Sequence, residues 1–142
     1  MSFSLVRSCP HCGKGNRIPA GRLADTGRCG ACKGEIPPQS EPLDVDDAAF
    51  AEIVRDSRVP VLVDFWASWC GPCRVAAPEV NALAHETAGK AVILKVNTEE
   101  HPQLASQFGV QSIPNFVVLR NGQVVSQHAG LASRAEMRRW LA

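Results

Sequence analysis

The stretch VLVDFWASWCGPC, residues 61–73, decides the fold. Its first half is apolar on both faces, as a central strand covered by two helix layers would be. One carboxylate, Asp64, interrupts it, and the run ends in two cysteines around Gly71-Pro72. Proline fits the first turn of a helix, where backbone donors are unpaired anyway. Cys70 therefore belongs where a strand ends and a helix begins, facing free N–H groups and the positive end of the helix dipole. Both favour thiolate over thiol. Cys73, one turn further on, is expected nearer the interior as a thiol. Asp64, buried in the strand that leads to the pair, is a candidate proton acceptor: burial raises a carboxyl pKa towards the range useful for proton transfer.

Outward from this stretch the pattern alternates. Asp46 or Asp47 can cap a helix with Phe50, Ile53 and Val54 inward. Val61–Ala67 reads as a strand, and 72–87 as a helix with Val75, Ala76, Val80, Leu83 and Ala84 on one side, kinked at Pro78. Residues 91–96 form a second apolar strand, followed by a short helix through Leu104, Ala105 and Phe108. Phe116–Leu119 and Val124-Val125 flank Asn121-Gly122, which suits a type I′ hairpin turn. Ser133-x-x-Glu136 is a capping box for a last helix with Met137, Trp140 and Leu141 inward. The expected fold class is α/β: a mixed central sheet with helices on both faces, preceded by a small metal ribbon. No internal repeat is apparent, and the likeness among the three cysteine pairs stops at the pairs.

Trp69-Cys70-Gly71-Pro72-Cys73 resembles the active-site signature of the thioredoxin family. Matches run through residues 41–142: Asp64 and Lys95 resemble the family's buried aspartate and its lysine partner, Pro78 the kinking proline, Ile113-Pro114 the cis-proline loop, and Gly130 the glycine of the substrate groove. The resemblance implies a protein disulfide reductase in which Cys70 attacks and Cys73 resolves, with Asp64 and Lys95 assisting. It places substrate against Trp69, Gly71, Pro72, Ile113, Pro114 and Gly130. It also implies recharging by thioredoxin reductase, an NADPH-dependent flavoprotein, with no flavin or nicotinamide bound by the chain itself. Asn115 departs from the family pattern, which usually has threonine there.

The other two pairs, Cys9-Pro-His-Cys12 and Cys29-Gly-Ala-Cys32, are separated by sixteen residues. That spacing suits a four-thiolate zinc site in which each pair forms a turn presenting two sulfurs. Gly13 and Gly30 are expected at positive backbone angles. Iron is the chemical alternative at tetrahedral sulfur, and His11 is a poor ligand while four cysteines are present. Pro37-Pro38-Gln39-Ser40-Glu41-Pro42 reads as a stiff linker, which divides the chain into a ribbon, 1–38, and a thioredoxin-like domain, 39–142. This organisation resembles the thioredoxin 2 type, in which the resemblance implies that zinc tunes redox behaviour or a stress response.

The totals agree with this picture. The 142 residues suffice for one ordinary domain and a small appendage, with 45% hydrophobic and 20% charged residues. A net charge of +1 gives no global reason to expect nucleic-acid or membrane binding. The ribbon carries six basic and two acidic residues, +4, against nine and twelve in the remainder, −3. A binding role for that basic ribbon is a second hypothesis, although its basic residues are scattered and no aromatic stacking set accompanies them. An oxidase or isomerase on the same fold is a third. MSFSLVRSCPHC lacks an apolar signal core, so the expectation is a cytoplasmic protein, simplest as a monomer, that meets disulfide-containing clients.

Overall fold

The computed structural model describes residues 3–142. A five-stranded mixed sheet forms its centre, with strand order β5-β7-β6-β8-β9. These strands are β5 (Leu43–Asp44), β6 (Val61–Trp66), β7 (Val92–Asn97), β8 (Asn115–Arg120) and β9 (Gln123–Ala129). β5, β7 and β6 run parallel, and β8 lies antiparallel to β6. Four helices cover the sheet: α1 (Asp47–Asp56), α2 (Gly71–Glu86), α3 (Pro102–Gln107) and α4 (Arg134–Leu141).

The period of two along β6 sorts the core. Val61, Val63 and Phe65 pack with Phe50 and Ile53 of α1 and Leu104 and Ala105 of α3. Leu62 packs on the other face with Ala76, Val80 and Leu83 of α2 and Met137 of α4. Asp64 shares that second face, so its carboxyl lies on the α2 side of the sheet. Asp46 caps α1 by accepting the Ala49 N–H, and Ser133 and Glu136 close the expected capping box on α4. Asn121 and Gly122 take φ of 52° and 77°, the paired positive angles of a type I′ turn.

Three features differ from the sequence reading. Val75 is 62% exposed: the inward arc of α2 is set by Ala76, Val80, Leu83 and Ala84, and one residue's rotation of about 100° carries Val75 off it. β5, two residues long, adds an edge strand beside β7 directly after the expected linker, at residues to which the sequence reading gave no element. The ribbon also contains a repeat. β1 (Ser4–Ser8) pairs β2 (Gly15–Pro19), and β3 (Gly27–Arg28) pairs β4 (Glu35–Ile36).

The ribbon and the sheet share one core. A 3-10 turn at Ala20–Arg22 lies on α1, and Ala20 and Leu23 are buried in the same cluster as Phe50 and Ile53. Phe3, Leu5 and Ile18 pack against it. Gly21 permits this approach, because a Cβ there would stand 3.0 Å from the Asp56 carbonyl oxygen. Burying Leu23 alone is worth roughly 1.5–3 kcal/mol.

Candidate functional site

Cys70 follows β6 and caps α2. Its sulfur accepts the Cys73 backbone N–H at 3.1 Å, and Pro72 occupies the first turn, where no donor is lost. Cys70 and Cys73 are joined as a disulfide. Both are nearly buried, whereas Trp69 beside them is 66% exposed. A cleft of about 350 Å³ opens over the pair, with Trp69, Cys70, Gly71 and Pro72 on one wall and the 110–113 loop on the other. The Ile113–Pro114 bond is cis. The Ile113 carbonyl oxygen lies 3.7 Å from the Cys70 sulfur, and Gly130, at φ 94°, donates its N–H to the Pro114 carbonyl at 2.9 Å. The expected groove residues therefore converge: Trp69, Gly71, Pro72 and Ile113 line the cleft, and Pro114, next to Ile113, is hydrogen-bonded to Gly130.

Asp64 is 2% exposed, and its Oδ1 has no hydrogen-bond partner. Burial pushes its carboxyl up to about 7 from the ordinary 3.8; Lys95 pulls it down and Asp44 adds to the rise. The parallel registers place Asp44, Lys95 and Asp64 side by side across β5, β7 and β6. The Lys95 ammonium sits 4.7 Å from the centroid of the Trp66 ring, a cation–π position. Asp44 escaped the sequence reading because a two-residue strand has no period to detect.

The loop that forms the far wall of the cleft is held by a second group the sequence did not reveal. The Gln127 side-chain N–H donates to the Phe108 carbonyl at 2.9 Å and to Asn115 Oδ1 at 3.0 Å. Asn115, 5% exposed, donates in turn to the Ser112 carbonyl at 3.4 Å. One amide thus fastens both ends of the 109–114 loop. Gln127 lies on β9, twelve residues from Asn115, and no local pattern announces the pairing.

The remaining four cysteines form a separate cluster within the ribbon. Their sulfurs lie within 4.8 Å of one another, with Cys9–Cys32 and Cys12–Cys29 each at 3.6 Å. A tetrahedron with metal–sulfur bonds of about 2.3 Å has edges of about 3.8 Å, so these sulfurs fit one ion. Each pair makes the same knuckle: Gly13 N–H donates to the Cys9 carbonyl at 2.9 Å, and Lys33 N–H to the Cys29 carbonyl at 3.0 Å. The positive angles fall on Gly13 (80°) and Lys33 (67°). The expectation for Gly30 is thereby corrected: the reversal follows the second cysteine of each pair, and Gly30 lies inside its turn, donating to Asn16 Oδ1.

The knuckle amides favour ionised sulfur. The Cys12 N–H draws the Cys9 thiol down, and the Cys32 N–H, then the Asn16 amide, bring Cys29 to about 6. Cys32 has the Gly34 N–H favouring its thiolate, yet the neighbouring Cys9 and Cys12 sulfurs leave it raised to about 11. Four sulfurs so close cannot all ionise without a cation between them. His11 is outside this group.

Residues 41–142 match the family model described as Thioredoxin, and residues 8–34 match Thioredoxin 2, N-terminal. The chain belongs to the thioredoxin family. It is of the thioredoxin 2 type, with the N-terminal ribbon. Thioredoxin 1 of Nostoc sp. is 48% identical over 93 residues, covering 66% of this chain and 87% of that one. Thioredoxin C-3 of Corynebacterium nephridii is 35% identical over 137 residues, 96% of this chain and 93% of the relative, so the similarity extends through the ribbon. Among solved structures, a mutant thioredoxin from Halobacterium salinarum superposes with a TM-score of 0.69 at 33% identity, covering 76% of this chain and 93% of that one. Thioredoxins are protein disulfide oxidoreductases, and the bonded Cys70–Cys73 pair supports dithiol–disulfide exchange by this chain.

Proposed function

We propose that this chain reduces disulfides in other proteins, Cys70 attacking and Cys73 resolving. The observation that carries the assignment is the setting of Cys70: its sulfur caps α2 and accepts the Cys73 N–H, while Cys73, equally buried in the same small cluster, lies one turn on in α2, the helix that covers the Asp64 face of the sheet. In the reduced protein the Cys70 thiolate attacks one sulfur of a client disulfide, and the other leaves as thiolate. Cys73 then gives its proton to Asp64, attacks Cys70 and releases the client. Two electrons pass to the client, and the chain finishes with the Cys70–Cys73 bond. A carboxyl at about 7 is matched to taking a proton near neutrality. Lys95 holds that value from rising further. An extended client segment pairs with the Ile113 backbone as an added strand, against Trp69, Gly71 and Pro72, with Pro114, hydrogen-bonded to Gly130, next to it.

We assign residues 1–38 to the ribbon and 39–142 to the reductase domain, and zinc to Cys9, Cys12, Cys29 and Cys32. Zinc there would neutralise and fix four thiolates, without part in the exchange. Thioredoxin reductase, drawing on NADPH, would restore the dithiol. Among the described residues no helix is long and apolar enough to cross a membrane, and the assigned compartment is the cytoplasm. The test is NADPH consumption with thioredoxin reductase and an insulin-type disulfide. A Cys70→Ser, Cys73→Ser variant should lose turnover while retaining about one zinc per chain; turnover that survives refutes the catalytic assignment.

A further inference from the structure

The basic residues scattered along the ribbon sequence converge in space. Arg7 of β1, Arg17 of β2, Arg22 of the 3-10 turn and Arg28 of β3 line one groove of about 230 Å³, with Ile18 and Ile36 among its apolar walls. Asp25 is the one carboxylate lining it, 3.6 Å from Arg22. The Arg7 guanidinium is held by the Pro37 carbonyl. Among the described residues, neither Arg17 nor Arg28 forms an ion pair.

The groove is also fixed to the cysteine cluster. Asn16, on its wall, donates to the Cys29 sulfur at 3.5 Å and accepts the Gly30 N–H at 3.0 Å. The ribbon itself is docked at the end of the sheet remote from Cys70: Gly21 meets Asp56 at the close of α1, and Gly89, before β7, faces Ala24 and Pro38. An occupant of the groove would leave the disulfide cleft open.

We infer that this groove is a docking site for an acidic, extended segment of a partner protein. Guanidinium forks match carboxylates in pairs, and Arg17 and Arg28 are uncommitted. The apolar walls provide a seat for one aliphatic side chain between the acids. No aromatic residue lines the groove, which removes the stacking platform that single-stranded nucleic acid uses. Docking here would raise the effective concentration of an acid-tailed client at the far cleft. That consequence rests on the reductase reading; the binding itself does not.

The test uses the full metal-loaded chain and fluorescence anisotropy of a labelled peptide alternating Glu and Leu. The peptide should bind the parent, and equally a Cys70→Ser, Cys73→Ser variant, so failure of the reductase reading leaves this measurement intact. Arg17→Glu with Arg28→Glu should weaken binding more than about tenfold at unchanged metal content and unchanged turnover of a small generic disulfide. Arg17→Lys with Arg28→Lys should recover part of the loss. Binding should fade towards about 1 M salt, where the Debye length is about 3 Å. Equal peptide affinity in the charge-reversed variant overturns the proposal. So does tighter binding of an oligouridylate of equal charge, which would make the groove a nucleic-acid site.

Discussion

Replacing Asp64 by Asn should stabilise the oxidised protein above neutral pH while slowing its chemistry. A carboxyl that titrates at 3.8 in the unfolded chain and at about 7 in the fold binds more protons folded than unfolded throughout that window. Stability contributed by its protonated form is therefore complete below pH 3.8 and is lost as pH rises towards 7. About three pH units at about 1.36 kcal/mol each gives a loss of roughly 4 kcal/mol, complete above about pH 7. Asn has no charge to desolvate and removes this term. Its amide must still be buried beside an oxygen that already lacks a partner, which costs about 1–3 kcal/mol. The net expectation is a gain of about 1–3 kcal/mol near pH 8 and a loss near pH 4.

The assay is urea unfolding of both proteins, oxidised, in steps from about pH 4 to about pH 9. Taking the difference between them cancels every other titrating group, leaving a curve that changes by about 4 kcal/mol between roughly pH 4 and pH 7. A difference that is flat across the range would mean Asp64 is ionised throughout, and the desolvation argument would fail. The chemical arm is independent. Rapid mixing of reduced protein with a disulfide client should show resolution of the mixed disulfide slowed about 10²-fold, the low end of what a positioned base contributes.

Other perturbations read other parts of the molecule. Gln127→Leu releases both ends of the 109–114 loop; losing about 1 kcal/mol of net hydrogen bonding should raise the client KM roughly fivefold with little change in kcat, and an unchanged KM refutes the clamp. Leu23→Ala, at a site 1% exposed, should cost about 2–5 kcal/mol, and a single thermal transition would show ribbon and sheet unfolding together; two well-separated transitions would contradict a shared core. Cys29→Ser should drop metal content from about one ion per chain to near zero by atomic absorption. Retention of the ion would exclude the four-sulfur site.

The sequence made the sheet legible where burial is two-sided. The apolar run from Val61 and the 91–96 run can only be central strands, and the Asn121-Gly122 and Ser133-Glu136 signals fix the last hairpin and helix by backbone chemistry alone. It failed where structure depends on partners distant along the chain. β5 is too short for periodicity, Val75 looks inward on composition but faces out on geometry, and the Gln127–Asn115 contact exists only once β9 folds beside β8. The docking of Ala20 and Leu23 on α1 was hidden for the same reason: an isolated Ala-Gly-Arg-Leu carries no helical period. What looked like an appendage before a proline-rich linker buries Ala20 and Leu23 in the main core and packs Phe3, Leu5 and Ile18 against it.

Identical Cys-x-x-Cys spacing has different outcomes because of the residue that follows or intervenes. In the ribbon, the residue after each second cysteine turns to positive φ and donates to the first cysteine's carbonyl. That closes a knuckle whose two sulfurs face the other pair, with close approaches across the pairs. At residues 70–73 the Arg74 N–H also reaches the Cys70 carbonyl, at 3.3 Å, but without a positive φ. Pro72 commits the chain to a helix, the α-carbons of Cys70 and Cys73 are 5.3 Å apart, and the sulfurs meet within the pair. Backbone handedness after the motif therefore separates the pairs that cluster with each other from the pair that bonds within itself. Replacing Arg74-Val75 after Cys73 by Gly-Lys would leave the spacing intact, but a residue 74 at positive φ would break the first turn of α2. The N–H that caps the Cys70 sulfur would be lost, and with it the contact that we propose sets Cys70 apart as the attacking sulfur. Alkylation rates of the two thiols in the reduced variant should then converge, and persistence of a large difference would show that the helix terminus is not its source.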